Sequence, residues 1–139
     1  MHTTQNLSHK EAQTIITAIS TELEQRGKAA VIVVADAHGE LLAMLRISGA
    51  ALPSILIAQN KAFTAARERR ASKDIGQASR HPTDGFDTRY FGDPRYIGWG
   101  GGVPVWHEGA CVGAVGVSGL AESEDIELAQ LGIDALELG

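Results

Sequence analysis

A chain of 139 residues, 44% hydrophobic and 21% charged, has the length and composition of one globular domain with a single core. Its net charge of −5 argues against a general nucleic-acid binder, which needs a basic excess, although Arg67, Arg69 and Arg70 cluster locally. The single cysteine, Cys111, excludes an intrachain disulfide and a cysteine-based metal cluster.

The N-terminal stretch MHTTQNLSHKEAQ is polar and lacks the apolar centre of a signal peptide. No apolar run approaches the roughly 18 residues of a membrane span, so a cytoplasmic protein is expected. Ser8 and Glu11 have the spacing of a capping box, and Ala12, Ile15, Ile16, Ile19 and Leu23 then recur at helical intervals up to Gly27. This predicts a helix over Ser8 to Arg26.

Ala29 to Ala35 is a short run of small and branched residues, followed by turn chemistry at Asp36 to Gly39 and a second apolar run, Glu40 to Ile47. The two form a predicted β-hairpin with His38 at its tip. Its first strand is apolar on both faces and belongs in the middle of a covered sheet. Arg46 sits beside that apolar run and needs a partner; an ion pair and a bound anion are both open.

Pro53 and Ser54 suit a helix start. The helix that follows carries Ile55, Ala58, Ala62 and Ala65 on one face, small enough to approach a sheet closely. Lys61 lies beside that face. Either its stem is covered while its ammonium reaches a cavity rim, or it is a snorkelling surface lysine. Arg67, Arg69 and Arg70 in the last turn complement the helix dipole. Ser72 to Ser79 is predicted as a further short helix.

From Arg80 to Gly98 there is no periodicity, yet Phe86, Tyr90, Phe91 and Tyr96 lie here. A loop of this length in a compact domain is expected to bind, cover or contact something. The stretch Gly98 to Gly119 then holds half of the chain's 16 glycines and both tryptophans. It reads as a glycine-rich loop and a second hairpin, Val103 to His107 and Ala110 to Ser118, turning at Glu108-Gly109. Pro104 lacks an amide donor, so its strand is at an edge or starts there. Acidic residues at 122, 124 and 125 open a last helix carrying Ile126, Ala129, Ile133 and Leu136. Gly113, Gly116 and Gly119 are explained by close packing against the helix around Ala58 and Ala62; Gly100, Gly101 and Gly102 are not.

Hairpins separated by helices cannot make a wholly parallel sheet, so the fold class is α+β, an antiparallel sheet with helices packed on it. There is no P-loop, H-E-x-x-H, paired-cysteine or G-x-S-x-G motif.

Several blocks resemble the GlcG/HbpS family, whose domain also forms the C-terminal part of PduO. They are Val34-Ala35-Asp36 with Gly39 and Leu41, Arg46 before Gly49-Ala50, and Ala58-Gln59-Asn60-Lys61-Ala62. Gly101-Gly102-Val103-Pro104, Val112 to Gly119 and Glu124-Asp125 with Ala129 and Gly132 continue the match. The resemblance covers the chain from about Ser8 onward as one domain, residues 1–139. It implies a profilin-like fold, homo-oligomeric assembly, and haem binding in some members; other members accompany organic-acid, diol or aromatic-compound catabolism. Ser48 departs from the acidic residue often found there, and the aromatic loop is more elaborate than the family minimum. No haem-ligating position of the family is carried over to a residue here.

The expectation is a small-ligand-binding protein with haem or a small organic acid under the glycine-rich loop. Arg46 and Lys61 would supply charge, Gly100, Gly101 and Gly102 backbone amides, and Phe91, Tyr96 and Trp99 apolar walls. For haem the candidate axial ligands are His38, His81 and His107. An enzyme of organic-acid or aromatic-compound catabolism is the alternative, with His81, Asp93, Tyr96 or His107 as acid–base candidates and no assigned catalytic residue. A structural, oligomer-forming subunit is the third. Neither nucleic acid nor membrane is expected as a partner.

Overall fold

The computed structural model describes residues 1–137. Four helices, α1 (His9–Arg26), α2 (Ser54–Glu68), α3 (Ser72–Ser79) and α4 (Glu122–Asp134), surround a four-stranded sheet. The strands are β1 (Val31–Asp36), β2 (Leu41–Arg46), β3 (Gly102–His107) and β4 (Ala110–Ser118). All neighbours are antiparallel and the order is β2-β1-β4-β3, so each sequence hairpin supplies one edge and one central strand.

The capping box forms as the spacing requires. Ser8 Oγ accepts from the Glu11 amide at 3.3 Å, while the Ser8 amide donates to Glu11 Oε1 at 2.8 Å. Gly27 ends α1 in the left-handed region at φ 65°, which a residue without Cβ adopts at little cost.

Alternation along β1 splits the core into two layers. Ile32 and Val34 join Ile15, Ile19, Leu23 and Leu128 on the α1/α4 side, whereas Val31, Val33 and Ala35 meet Ala58 and Ala62 of α2. Both faces are therefore covered, as the doubly apolar β1 demands. The β3–β4 hairpin turns on Glu108 (φ 49°) and Gly109 (φ 80°), and Pro104 lies on the edge strand β3.

Of the three glycines attributed to packing on α2, one does so. A Cβ on Gly116 would strike the α2 backbone at Ala58 O and lie 2.8 Å from Ala62 N. Gly113 instead faces Leu7 and Ala35, and Gly119 faces Ala29 and Ala30, because alternation turns them to other neighbours.

The segment 80–98 is not wholly irregular: Thr88–Phe91 forms one 3₁₀ turn, begun by the Asp87 carboxylate accepting from the Arg89 amide. Its aromatics fold back onto α2. Tyr96 meets Phe63 edge-on with ring centroids 5.3 Å apart, and Phe91 meets Tyr96 at 4.5 Å. Arg95 stacks over Phe63 at 3.9 Å and is held there by Asp93. Anchoring explains most of this loop; Tyr90 alone stands almost fully in solvent.

Candidate functional site

Two serine and threonine hydroxyls on the α2–α3 unit fasten the glycine-rich loop. Thr64 Oγ1 accepts from the Ile97 amide at 3.0 Å. Ser72 Oγ donates to Trp99 O at 2.7 Å and accepts from the Gly102 amide at 2.9 Å. Gly101 adopts φ 127°, and a Cβ there would sit 2.8 Å from Lys61 Nζ. Gly101 and Gly102 lie directly on Lys61, whereas a Cβ on Gly100 would meet Glu122 and Ile126.

Lys61 does not snorkel. Its side chain is 4% exposed, and Nζ donates to Val117 O at 2.9 Å and Asp125 Oδ2 at 3.1 Å. Asp125 is equally buried, and its Oδ1 accepts from the Leu120 amide. Burial pushes the Asp125 carboxyl above the usual carboxylate range, against the lowering effect of the adjacent ammonium. A cavity of about 280 Å³ opens over this pair, lined also by Ser54, Ile57, Trp99, Ser118, Leu120 and Glu122.

The eight expected ligand-binding residues do not form one site. Lys61, Trp99 and Gly100 border this cavity, and Gly101 packs on Lys61. The Gly100 amide donates to Glu122 at 3.1 Å and that of Gly102 to Ser72, so both are already engaged. Phe91 and Tyr96 belong to the aromatic cluster on Phe63. Arg46 ends the edge strand β2, exposed to solvent, and takes no part in the cavity.

The three candidate haem ligands are likewise apart. His38 is exposed at the hairpin tip, where its carbonyl accepts from Arg67. His81 is exposed, with Nδ1 accepting the amides of Thr83 and Asp84. His107 turns towards a cavity of about 270 Å³ beside Leu7, Glu11 and Val112, with Nδ1 buried and unpartnered among the described residues.

The acid–base candidates are dispersed too. Arg95 holds the Asp93 carboxyl down to about 2, and burial pushes the Tyr96 hydroxyl up. Neither is poised to exchange a proton near neutrality.

A larger cavity, about 670 Å³, lies elsewhere, between the N-terminal segment, the C-terminus of α2 and the second hairpin. Trp106 and Cys111 are cross-strand partners and so stand side by side on one face. Trp106 is 49% exposed. Arg69, the left-handed cap of α2 at φ 55°, and His2 complete the groove. Two bonds hold the N-terminal segment at this end of the sheet, Leu7 N to Val112 O and Ala37 N to Asn6 Oδ1. Burial pushes the Cys111 thiol up, which keeps it protonated at neutral pH. Nothing in the polar N-terminal sequence marks His2, whose place in this groove depends on the distant β4 folding beside it.

The fold and its residues match the HbpS-like family, described as haem degrading protein HbpS-like, over residues 7–134. The chain belongs to that family. Protein GlcG of Escherichia coli K12 is 38% identical over 112 residues, covering 81% of each chain. The corrinoid adenosyltransferase PduO of Salmonella typhimurium is 27% identical over 125 residues, or 89% of this chain; that match spans only 37% of PduO. The crystal structure of the PduOC:heme complex superposes with a TM-score of 0.87 at 26% identity, covering 96% of this chain and 97% of that one. The profilin-like α+β architecture inferred from the sequence is the observed one, and no helix among the described residues is long and apolar enough to cross a membrane.

Proposed function

We propose that this protein binds haem, and that the groove between His2, Arg69, Trp106 and Cys111 receives it. The observation that carries the reading is the coincidence in one 670 Å³ groove of an imidazole, a half-exposed indole and a guanidinium. That volume falls within the roughly 300–1,000 Å³ typical of ligand and cofactor sites. His2 would hold the iron, Trp106 would supply a flat apolar wall, and Arg69 would pair with the haem carboxylates. Haem bound there would supply an iron with redox and gas-ligand chemistry. The relation to a haem-complexed structure supports haem binding, while the choice of groove rests on these residues alone.

The cavity under the glycine-rich loop suits haem less well, since it contains no imidazole, thiol or thioether and is less than half as large. It also suits a small organic acid poorly. The Lys61 charge is already matched by Asp125, and Glu122 adds a second carboxylate at the rim.

Haemin titration tests the reading. A saturable Soret shift is expected in wild type, lost in His2→Ala and retained in His107→Ala. No saturable change, or loss only in His107→Ala, would contradict it.

We also propose that the chain self-associates through the β2 edge and the start of α2. Leu41 and Leu56 border one shallow depression and are 54% and 61% exposed; Leu52, one turn before Leu56, is 69% exposed. Such an apolar cluster beside an open strand edge is characteristic of an association surface. Light scattering should find an oligomer in wild type and a smaller species in Leu52→Glu/Leu56→Glu. An unchanged mass in the variant would refute this interface.

A further inference from the structure

The cavity over Lys61 has spare hydrogen-bond donors. An ammonium carries three N–H donors, and two of those on Lys61 are used. Ser54 and Ser118, each 5% exposed, line the same cavity and make no side-chain hydrogen bond among the described residues. All three can donate. Ile57, Leu120 and Trp99 supply apolar wall beside them.

The ligand that fits such a surface accepts hydrogen bonds. Charge narrows it further: Lys61 is balanced by Asp125, and the outer carboxylate, Glu122, lies 3.7 Å from Lys73 on the exposed rim. A second anion would bring a third negative charge to this mouth, whereas a neutral carbonyl adds none. An amine facing a bound neutral carbonyl has a specific reaction available to it.

We propose that this cavity binds a short-chain neutral aldehyde and that Lys61 Nζ condenses with it to a Schiff base, with Asp125 as the proton carrier. The ammonium passes a proton to Asp125 Oδ2, 3.1 Å away. The freed nitrogen lone pair attacks the carbonyl carbon, and the carbonyl π electrons move to oxygen, which takes the proton back from Asp125. In the carbinolamine so formed, a nitrogen-bound proton moves through Asp125 to the hydroxyl. The C–O bond then breaks, water leaves, and the nitrogen lone pair forms the C=N bond. The sum is one ammonium and one aldehyde giving one protonated imine and one water, with no oxidant or reductant consumed. Ser118 and Ser54 donate to the carbonyl oxygen as negative charge grows on it. The elevated affinity of the buried Asp125 for protons suits it to the carrier role. This inference does not depend on haem binding, which concerns a different groove.

Reductive trapping is the test. The folded wild-type protein is incubated with butanal and sodium cyanoborohydride, digested and mapped by mass spectrometry. Butylation of Lys61 is expected at butanal concentrations that leave the exposed Lys10, Lys28 and Lys73 unmodified. The carboxylated counterpart, 4-oxobutanoate, is expected to label Lys61 more slowly than butanal. Asp125→Asn should slow labelling of Lys61 and of no other lysine. Surface lysines modified while Lys61 stays untouched would overturn the proposal and leave the pair a structural contact. Faster labelling by 4-oxobutanoate would overturn it too, in favour of an anion site. Both wild-type arms stand even where the variant fails to fold.

Discussion

Lys61→Met is expected to destabilise the protein by about 3–5 kcal/mol, because removing one partner of a buried ion pair strands the other. Both side chains are nearly inaccessible, at 4% and 3% exposure, so little water reaches either. Asp125 would keep only its bond from the Leu120 amide and the polar backbone near Gly119. The pH dependence has a definite sign. A carboxyl whose pKa is raised by folding binds more protons in the native than in the unfolded state, so its effect on stability is most favourable below the unfolded value and is lost as pH rises through the native one. Losing the ammonium raises the native value further, so the deficit of Lys61→Met should shrink as pH falls from neutrality towards the ordinary carboxylate range. Lys61→Met/Asp125→Leu should recover much of the loss, since an apolar pair leaves no buried charge. Urea melts at several pH values measure all of this. A deficit below about 1 kcal/mol, or one independent of pH, would mean that the pair is solvated in a way its burial does not indicate.

Gly116→Ala is the other substitution with a large expected effect, a loss of about 3 kcal/mol or more. The added methyl would meet Ala58 O and lie 2.8 Å from Ala62 N and 3.1 Å from Ala62 Cβ. Two of those three atoms belong to the backbone of α2, which cannot rotate away as a side chain does. The helix must therefore retreat from β4, and Val31, Val33 and Ala35 lose contact with it as well. A lower urea midpoint with an unchanged slope is the expected signature. A midpoint within error of wild type would show that α2 does not rest on this strand.

What the sequence makes legible here is what depends on neighbours along the chain. The capping box at Ser8, the stripe from Ala12 to Leu23 and the doubly apolar β1 each follow from local chemistry and period, and the structure shows all three. Pro104 likewise marks an edge by what it lacks, a backbone donor. The site is less legible because its contacts are long-range. Lys61 and Asp125 are 64 residues apart, and the acidic start of α4 reads equally well as dipole compensation. Arg46, an isolated charge beside an apolar run, reads as a residue in need of a partner; at the end of an edge strand, water serves. Ser72 gives no sign in sequence of fastening residues 99 and 102, a role that exists only once α3 packs beside β3. The glycine-rich loop is a lid laid on a buried lysine, and its amides at 100 and 102 are spent in holding it there.

The haem assignment is tested most directly by locating iron. Crystals grown with haemin, with data collected at the iron absorption edge, should place one anomalous peak within bonding distance of the His2 imidazole, beside Trp106 and Arg69. An iron peak at another site, or none in crystals of protein that has taken up haem, would contradict the assignment.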